Sequence, residues 1–383
     1  MHSVAMNQIK IEKVNTKQQL RDFLSVPERI YTDYPQYVPD LKESTADMLK
    51  RKKNPGLSFC DIQAFVAYQG EVPVGRIAGI VNHKANQRWN TASMRFALLE
   101  FTDNREVVQA LFQAAEAWGK EKGMTKVIGP MGITDFDKEG MLVEDFDLTS
   151  SVITIYNPPY YPKHLEELGY RKEVDWVQIR IQIPNGVPAK YARVAQYCRE
   201  TIGLRVRKLT TREIVKGDFG KHIFRLLNEA YANLYGFSEL SNSQIDQFVK
   251  DYLHWVDMDL IPVVFNDKDE LVGCAITMPC LTEAMQKANG SLWPFGWYHL
   301  LKALKFSKTD HADLMLIAIR PDYQGLGVNA MFFDDLIPIY NKKGIKWAET
   351  GPQLETNIKE LSQWKPLNPQ FVKRRRCFTK ELQ

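Results

Sequence analysis

The sequence predicts an α+β protein of two tandem domains, each a mixed sheet flanked by helices. Three observations predict it. Runs rich in β-branched residues alternate with amphipathic helical stretches along the whole chain. One order of elements (strand, two helices, hairpin, strand, long helix, strand, short helix, strand) is read twice, and such a repetition outweighs any single boundary. The 383 residues make about two ordinary domains, each able to bury a core without a disulfide or metal staple.

In the first half, residues 9–14 (IKIEKV) begin as a strand, and TKQQLRDFLSVPERIY follows with a helical pattern. Residues 62–68 and 73–81 read as two strands, and the short stretch Gln69-Gly70-Glu71-Val72 between them predicts a hairpin. Residues 94–101 (MRFALLEF) predict the next strand. Asp103 and Asn104 stand where a helix N-cap belongs, with Glu106 in the first turn. Val107, Leu111, Ala114 and Trp118 then share one helix face, and Gly123 ends the helix. Residues 125–129 predict a strand, followed by an acidic loop with Asp135, Asp137, Glu139, Glu144, Asp145 and Asp147. NPPYYPKHLEELGYRK predicts a short helix ending at Gly169, and 173–183 a closing strand.

Residues 184–188 (PNGVP) read as a linker, which sets the domains at 1–185 and 186–383. Strand 204–209 leads to helices near 219–235 and 242–256, then to a hairpin made of IPVVFND, KDE and LVGCAITMP. After an inserted helical stretch come strand 313–319, a helix from 328 to about Asn341, strand 345–350, a helix from about Thr356 to Trp364, and a last strand near 371–379. The insert is rich in Trp293, Phe295, Trp297, Tyr298 and leucines. Such a stripe usually belongs to a core; here it could instead cover a long apolar chain or meet a membrane surface, with Lys302 and Lys305 toward headgroups.

Apolar residues are 44% and charged residues 25%, the balance of an ordinary globular protein, which excludes disorder, collagen-like repeats and coiled-coil rods. The formal charge, 50 − 46 = +4, gives no argument for nucleic acid as a partner. The run KRRR at 373–376 reads as a solvated edge strand. Cys60, Cys198, Cys274, Cys280 and Cys377 are odd in number and lack CxxC spacing, so they read as reduced thiols of a cytoplasmic protein. The histidines form no HxH, HExxH or Cys/His cluster, and no metal site is expected. The N-terminal stretch has no signal-peptide h-region, and no apolar run reaches the roughly 20 residues of a membrane span.

The sharpest signal is LMLIAIRPDYQGLGVNAMFFDDL: an apolar strand, a proline, a turn with Gly325 and Gly327, then a helix. Glycines let main-chain N–H groups approach a ligand, and the unpaired N–H groups of the helix start point at the same place. Phosphate is the usual occupant of such a site. The bland alternative is a strand–turn–helix connection with glycines chosen for geometry. There is no GxxxxGK[ST], and no GxGxxG opens the chain.

This segment resembles the acyl-CoA-binding motif of the GNAT (general N-acetyltransferase) superfamily, with Gln324, Gly327 and Asn329 on the Arg/Gln-x-x-Gly-x-Gly/Ala positions and Gly325 between. Asn329 departs from the usual small residue, so its side chain must turn away from a pyrophosphate. The element order, the segment NPPYYP with its Leu-Gly-Tyr ending, and Asn357 after the fifth strand extend the resemblance over nearly the whole chain as tandem GNAT-like domains. It implies an acyl-CoA co-substrate held by Ile317, Ala318, Ile319, Gln324, Gly325, Leu326, Gly327, Val328, Asn329 and Asn357, with no metal. The first half has no glycine turn and offers Asp103 and Glu106 where a phosphate would sit, so it is read as a degenerate domain without a donor.

The implied reaction is N-acylation by direct attack of an amine, small or lipid-like. An alkyl amine with pKa near 10.4 must first lose its proton, and the tetrahedral oxyanion needs donors, which the resemblance places on the backbone at Ile317 to Ile319. Trp364 stands near the family's frequent tyrosine acid, so Tyr323 and Glu349 are the catalytic candidates. The acidic loop 135–147 could draw in a cationic amine, or be merely solvated. His83 reads as a turn residue. Two other readings stay open: a non-catalytic CoA-binding GNAT-like module, and a relative using an aminoacyl donor. The acyl length, the acceptor and the oligomeric state are not legible.

Overall fold

A computed structural model describes residues 8–250, 256–305 and 309–382. In chain order the first half forms β1 (Ile9–Lys13), α1 (Lys17–Ile30), α2 (Lys42–Met48), β2 (Cys60–Gln69), β3 (Val72–Asn82), α3 (His83–Trp89), β4 (Ser93–Phe101), α4 (Arg105–Glu121), β5 (Lys126–Gly129), β6 (Met141–Leu142), α5 (Tyr160–Glu167) and β7 (Arg171–Gln182). The second half forms α6 (Ala189–Glu200), β8 (Arg205–Lys208), α7 (Thr211–Lys216), α8 (Phe219–Ala230), α9 (Asn242–Phe248), β9 (Pro262–Phe265), β10 (Leu271–Pro279), α10 (Thr282–Ala288), α11 (Gly296–Lys305), β11 (His311–Ile319), α12 (Val328–Lys343), β12 (Trp347–Thr350), β13 (Gln353–Leu354), α13 (Ile358–Ser362) and β14 (Gln370–Glu381). Helix α6 is absent from the sequence reading, although Tyr191, Ala195 and Cys198 give it a buried helical stripe. The far end of the predicted helix 242–256, residues 251–255, lies outside the described residues.

The chain forms two compact units, and they do not divide at a single point near 185. One comprises Met1–Trp176, Met285–Gly296 and Lys373–Gln383; the other comprises Val177–Ala284 and Trp297–Val372. The chain therefore changes unit four times, within β7 and α10, after the first residue of α11, and within β14. Each unit takes a strand end from the opposite half of the sequence.

The first unit's sheet has the order β1-β2-β3-β4-β5-β14, with β4 and β5 parallel and the other neighbours antiparallel. One face packs on α4 through Val107, Leu111, Ala115 and Trp118. The other face packs on α1 through Phe23 against Ala64, Val66 and Ala78. The capping box of Thr16 with Gln19 starts α1, and Asn104 starts α4. Strand β14 corrects the reading of KRRR as a solvated edge. Lys373 and Arg375 are buried, and Arg376 grips Asp175 through two hydrogen bonds of 2.9 and 3.1 Å. A fork-shaped ion pair lets a strand this basic run through an interior.

The second unit's sheet has the order β8-β9-β10-β11-β12-β7, with β11 and β12 parallel. Ile179, Ile181, Ala312, Leu314 and Ala348 of one face pack on α12. Gln178, Arg180, His311, Asp313, Trp347 and Glu349 alternate with them and so occupy the opposite face.

Candidate active site

In both units the parallel pair separates after a few residues. Strand β11 pairs with β12 over His311–Leu314 only and runs on to Ile319 alone on that side. Strand β4 pairs with β5 over Ser93–Arg95 only and runs on to Phe101. A bulge lies at each split. Thr277 faces Leu314 and Ile276 faces Leu316, so Met315 is extra. Between Ala97 and Glu100 the first unit likewise gains a residue, where Leu98 takes a φ of 50°. The bulge reverses the strand's alternation. Ala312 and Leu314 face α12 before it, and Ile317 and Ile319 face α12 after it.

The reversal also turns the main chain. The Ile317 carbonyl accepts from the Tyr231 hydroxyl at 3.0 Å, and the Ile319 carbonyl from Gln324 Nε2 at 3.0 Å. Arg320 N instead reaches Val272 on β10. Within a strand a residue's N–H points to the same side as its C=O, so the N–H groups of Ile317 and Ile319 face the edge that β12 has left. A carbonyl brought there meets donors already fixed in place.

The turn after β11 carries the other predicted residues. Gly325 and Gly327 have φ of 80° and 94°. Their reasons differ. A Cβ on Gly325 would meet nothing within 4 Å, whereas one on Gly327 would lie 2.4 Å from Val194 Cγ1 on α6. Gly327 thus serves helix packing as well as the turn. Gln324 and Leu326 are exposed beside them, Ala318 is buried, and Val328 is buried at the start of α12. No side chain caps α12, while in the first unit Asn104 caps α4 and Asp103 holds His164 at 2.7 Å. Asn329 is turned aside, its Nδ2 donating to Gln363 Oε1 at 2.8 Å. Asn357 accepts from Glu360 N at 3.3 Å and so caps α13. Trp364 is buried and donates to Gln353.

The two catalytic candidates are not brought together. Tyr323 lies just past β11, its ring under Arg320 and its hydroxyl accepting from Asn266 Nδ2 at 3.1 Å. Glu349 pairs in register with Asp313; Ile319 lies six positions further along the strand, about 20 Å at ~3.3 Å per residue. Glu349 is buried and accepts from Gln178 Nε2 and Arg180 Nη2, each at 3.0 Å.

Beside Glu349 lies a group that sequence spacing does not reveal. Ligand atoms of Cys280, His311 and Asp313 lie within 4.8 Å of one another, the set among the described residues that could hold a metal ion. The strand ladder builds it, so the expectation of no metal site rested on spacing alone. The His311 ring stacks on Trp347 at 3.6 Å, and Nε2 stands 3.5 Å from Asp313 Oδ1. Burial pulls the His311 pKa down, but Asp313 and Cys280 outweigh it and push it up to about 9. Asp313 is 2% exposed. A carboxylate opening the apolar run DLMLIAI was the one signal that could have found it.

In the first unit the equivalent edge is filled. Gly75 faces Phe101 as Gly273 faces Ile319. Phe101 N donates to the Tyr161 hydroxyl at 2.9 Å, and the Tyr160 hydroxyl donates to Phe101 O at 2.7 Å. The NPPYYP segment thus plugs its own split. The acidic loop is not merely solvated either. Asp137 accepts from Ile133 N and Thr134 N, and burial pushes Asp135 up to about 7. His83, read as a turn residue, is instead the exposed first residue of α3 and pairs with Asp61.

Two mixed sheets, each split between its fourth and fifth strands beside a bulge, define the class: the chain has the tandem GNAT fold. It aligns with a solved structure, the "Tandem GNAT protein from the clavulanic acid biosynthesis pathway", at a TM-score of 0.57 and 12% identity, covering 98% of this chain and 99% of that one. In sequence it is similar to Protein YghO of Escherichia coli (strain K12), 28% identical over 378 residues, covering 96% of this chain and 94% of that protein. It is also similar to the bacterial ceramide synthase of Caulobacter vibrioides (strain NA1000 / CB15N), 26% identical over 334 residues and 82% of each chain. No family model matches the chain.

Proposed function

We propose that the protein is an acyl-CoA-dependent N-acyltransferase whose acceptor is a lipid-like amine. The observation that carries the reading is the split of β11 from β12 at a bulge, with the uncapped start of α12 and its glycine turn at the same end. The thioester carbonyl would lie against the N–H groups of Ile317 and Ile319, and the CoA phosphates against the turn at Gly325. The amine nitrogen attacks the thioester carbon, the C–S bond breaks, and CoA leaves as a thiolate that takes up a proton. The attacking nitrogen must give up a proton of its own. Glu349 is committed to Arg180 and Gln178, so Asp313, on the same strand four positions before Ile317, is the carboxylate proposed to take it, through intervening water. The lipid-like acceptor is supported by the similarity to the ceramide synthase. We place the protein in the cytoplasm, in keeping with five free cysteines.

Calorimetric titration with acetyl-CoA and palmitoyl-CoA tests the donor. Gly325→Asp is the variant of choice, since its Cβ meets no atom within 4 Å and its charge repels phosphate; the φ of 80° strains it, so a thermal melt must show it folded. Binding should be lost in it. Thiol release on adding a long-chain amino alcohol should follow in the wild type and fall about 100-fold in Asp313→Asn. A non-catalytic acyl-CoA-binding module is the second reading, favoured by the buried Trp364 at the frequent tyrosine position; binding without thiol release would select it.

Peripheral membrane contact belongs to the same proposal. Trp293 and Phe295 are 75% and 70% exposed, which corrects the expectation of a core stripe, and exposed aromatics suit a membrane interface. No helix among the described residues is long and apolar enough to cross a membrane. Trp293→Ser with Phe295→Ser should abolish co-sedimentation with lipid vesicles.

A further inference from the structure

The first unit contains a cleft of 340 Å³ lined by α1, α2, β3 and the segment Met285–Gly296, within the size range of small-molecule sites. Tyr31 and Tyr37 form one wall, their rings stacked at 3.7 Å and 11°. Gln286 Nε2 holds the carbonyls of Pro35 and Tyr37 at 2.8 and 3.0 Å, and Lys42 N donates to Gly290 O at 2.9 Å. The cleft is therefore a built feature rather than a gap between loops.

Arg76 lines it and is 3% exposed. Its Nη1 donates to Phe23 O at 3.2 Å, and its Nε has no hydrogen-bond partner among the described residues. Glu100 Oε1 stands 3.7 Å from Nη2, an ion pair by distance but too long for a hydrogen bond. Glu100 is instead shared between the hydroxyls of Tyr31 and Tyr161. The other acids near the cleft are engaged, Glu28 with Lys42 and Asp40 with Lys138. A buried guanidinium whose Nε finds no acceptor is costly unless something completes it. By register, Arg76 stands where the second unit has Cys274, and Glu100 where it has Ala318.

We propose that the first unit carries a ligand site of its own, in which Arg76 binds the carboxylate of a small organic acid whose flat apolar body lies along Tyr31 and Tyr37. Arg76 is the buried cation lining the cleft, and a small shift of its guanidinium would bring its unpaired Nε to a carboxylate there. The site needs no acyl-CoA and stands apart from the acyltransferase reading.

The test is calorimetry on the full chain with sodium benzoate, and with benzamide as the uncharged isostere. Benzoate should bind saturably at one site, and benzamide at least about tenfold more weakly. Arg76→Gln should remove benzoate binding. Leu24→Trp, which fills the cleft and leaves Arg76 in place, should remove it too, with thermal melts showing both variants folded. If Arg76→Gln does not fold, Leu24→Trp and the benzamide comparison decide. No saturable heat from benzoate, equal binding of benzamide, or unchanged affinity in a folded variant overturns the proposal. Acyl-CoA titrations of the same variants should match wild type, which separates this failure from failure of the donor site.

Discussion

Glu100 shows how a single buried side chain sets a measurable property. Burial is the largest influence on it, and although Arg76 and the two phenols oppose that, its pKa is pushed up to about 7. The folded protein therefore holds a proton there that the unfolded chain, with a value near 4.5, has released. Stability contributed by this group is greatest below pH 4.5 and declines as pH rises toward 7, by at most about 3 kcal/mol. Asp135 and Glu139, raised by burial in the same unit, act in the same direction. Glu100→Gln should flatten the fall in melting temperature between pH 5 and 8, and an unchanged slope would show that Glu100 ionises at its ordinary value. His311 has the opposite sign. Its stabilising charge is complete below pH 6.5 and is lost as pH passes about 9, so its ring should titrate near 9 by NMR and return toward the ordinary range in Asp313→Asn.

Elements carry the difference between the units. Both have the split and the bulge, but among the described residues it is the first unit's edge that tyrosines fill. Tyr161→Phe removes the acceptor of the Phe101 N–H and one donor to Glu100, and should cost about 1–3 kcal/mol in urea unfolding, because a buried N–H is left unpaired. At the turn, Gly327→Ala should lower the melting temperature more than Gly325→Ala, since only the former meets Val194. The strand and helix periods made most elements legible from sequence, and the glycine turn was visible as a string. The bulges were not: Met315 and Leu98 look like any apolar strand residues, and only register exposes an extra one. Asp313, Tyr161 and Arg76 escaped for a similar reason. Each acts across a ladder or from a distant helix, and their partners lie 36, 61 and 24 residues away at Glu349, Glu100 and Glu100. Trp293 and Phe295 misled because composition alone cannot tell a core stripe from an exposed one.

At the scale of the whole molecule, a cut at 185/186 would leave the first unit without the β14 residues that pair with β5 and β6, and the second without the β7 residues that pair with β12. A fragment of residues 1–185 should therefore melt less cooperatively than the same unit in the intact chain, and adding a peptide of residues 370–383 should restore part of the transition. Sequence order suggested two beads on a string because local patterns say nothing about which sheet a strand end will join. Synthesis on the ribosome gives the exchange a further meaning. The segment that covers the side of β5 follows every other strand of the second half, so the first unit must wait with an unpaired strand edge while those strands are translated. Such an edge invites pairing with other nascent chains. A chain that stops short of β14 would thus leave the first unit's β5 edge uncovered, while the second unit, whose closing strand β7 is made early, could still close.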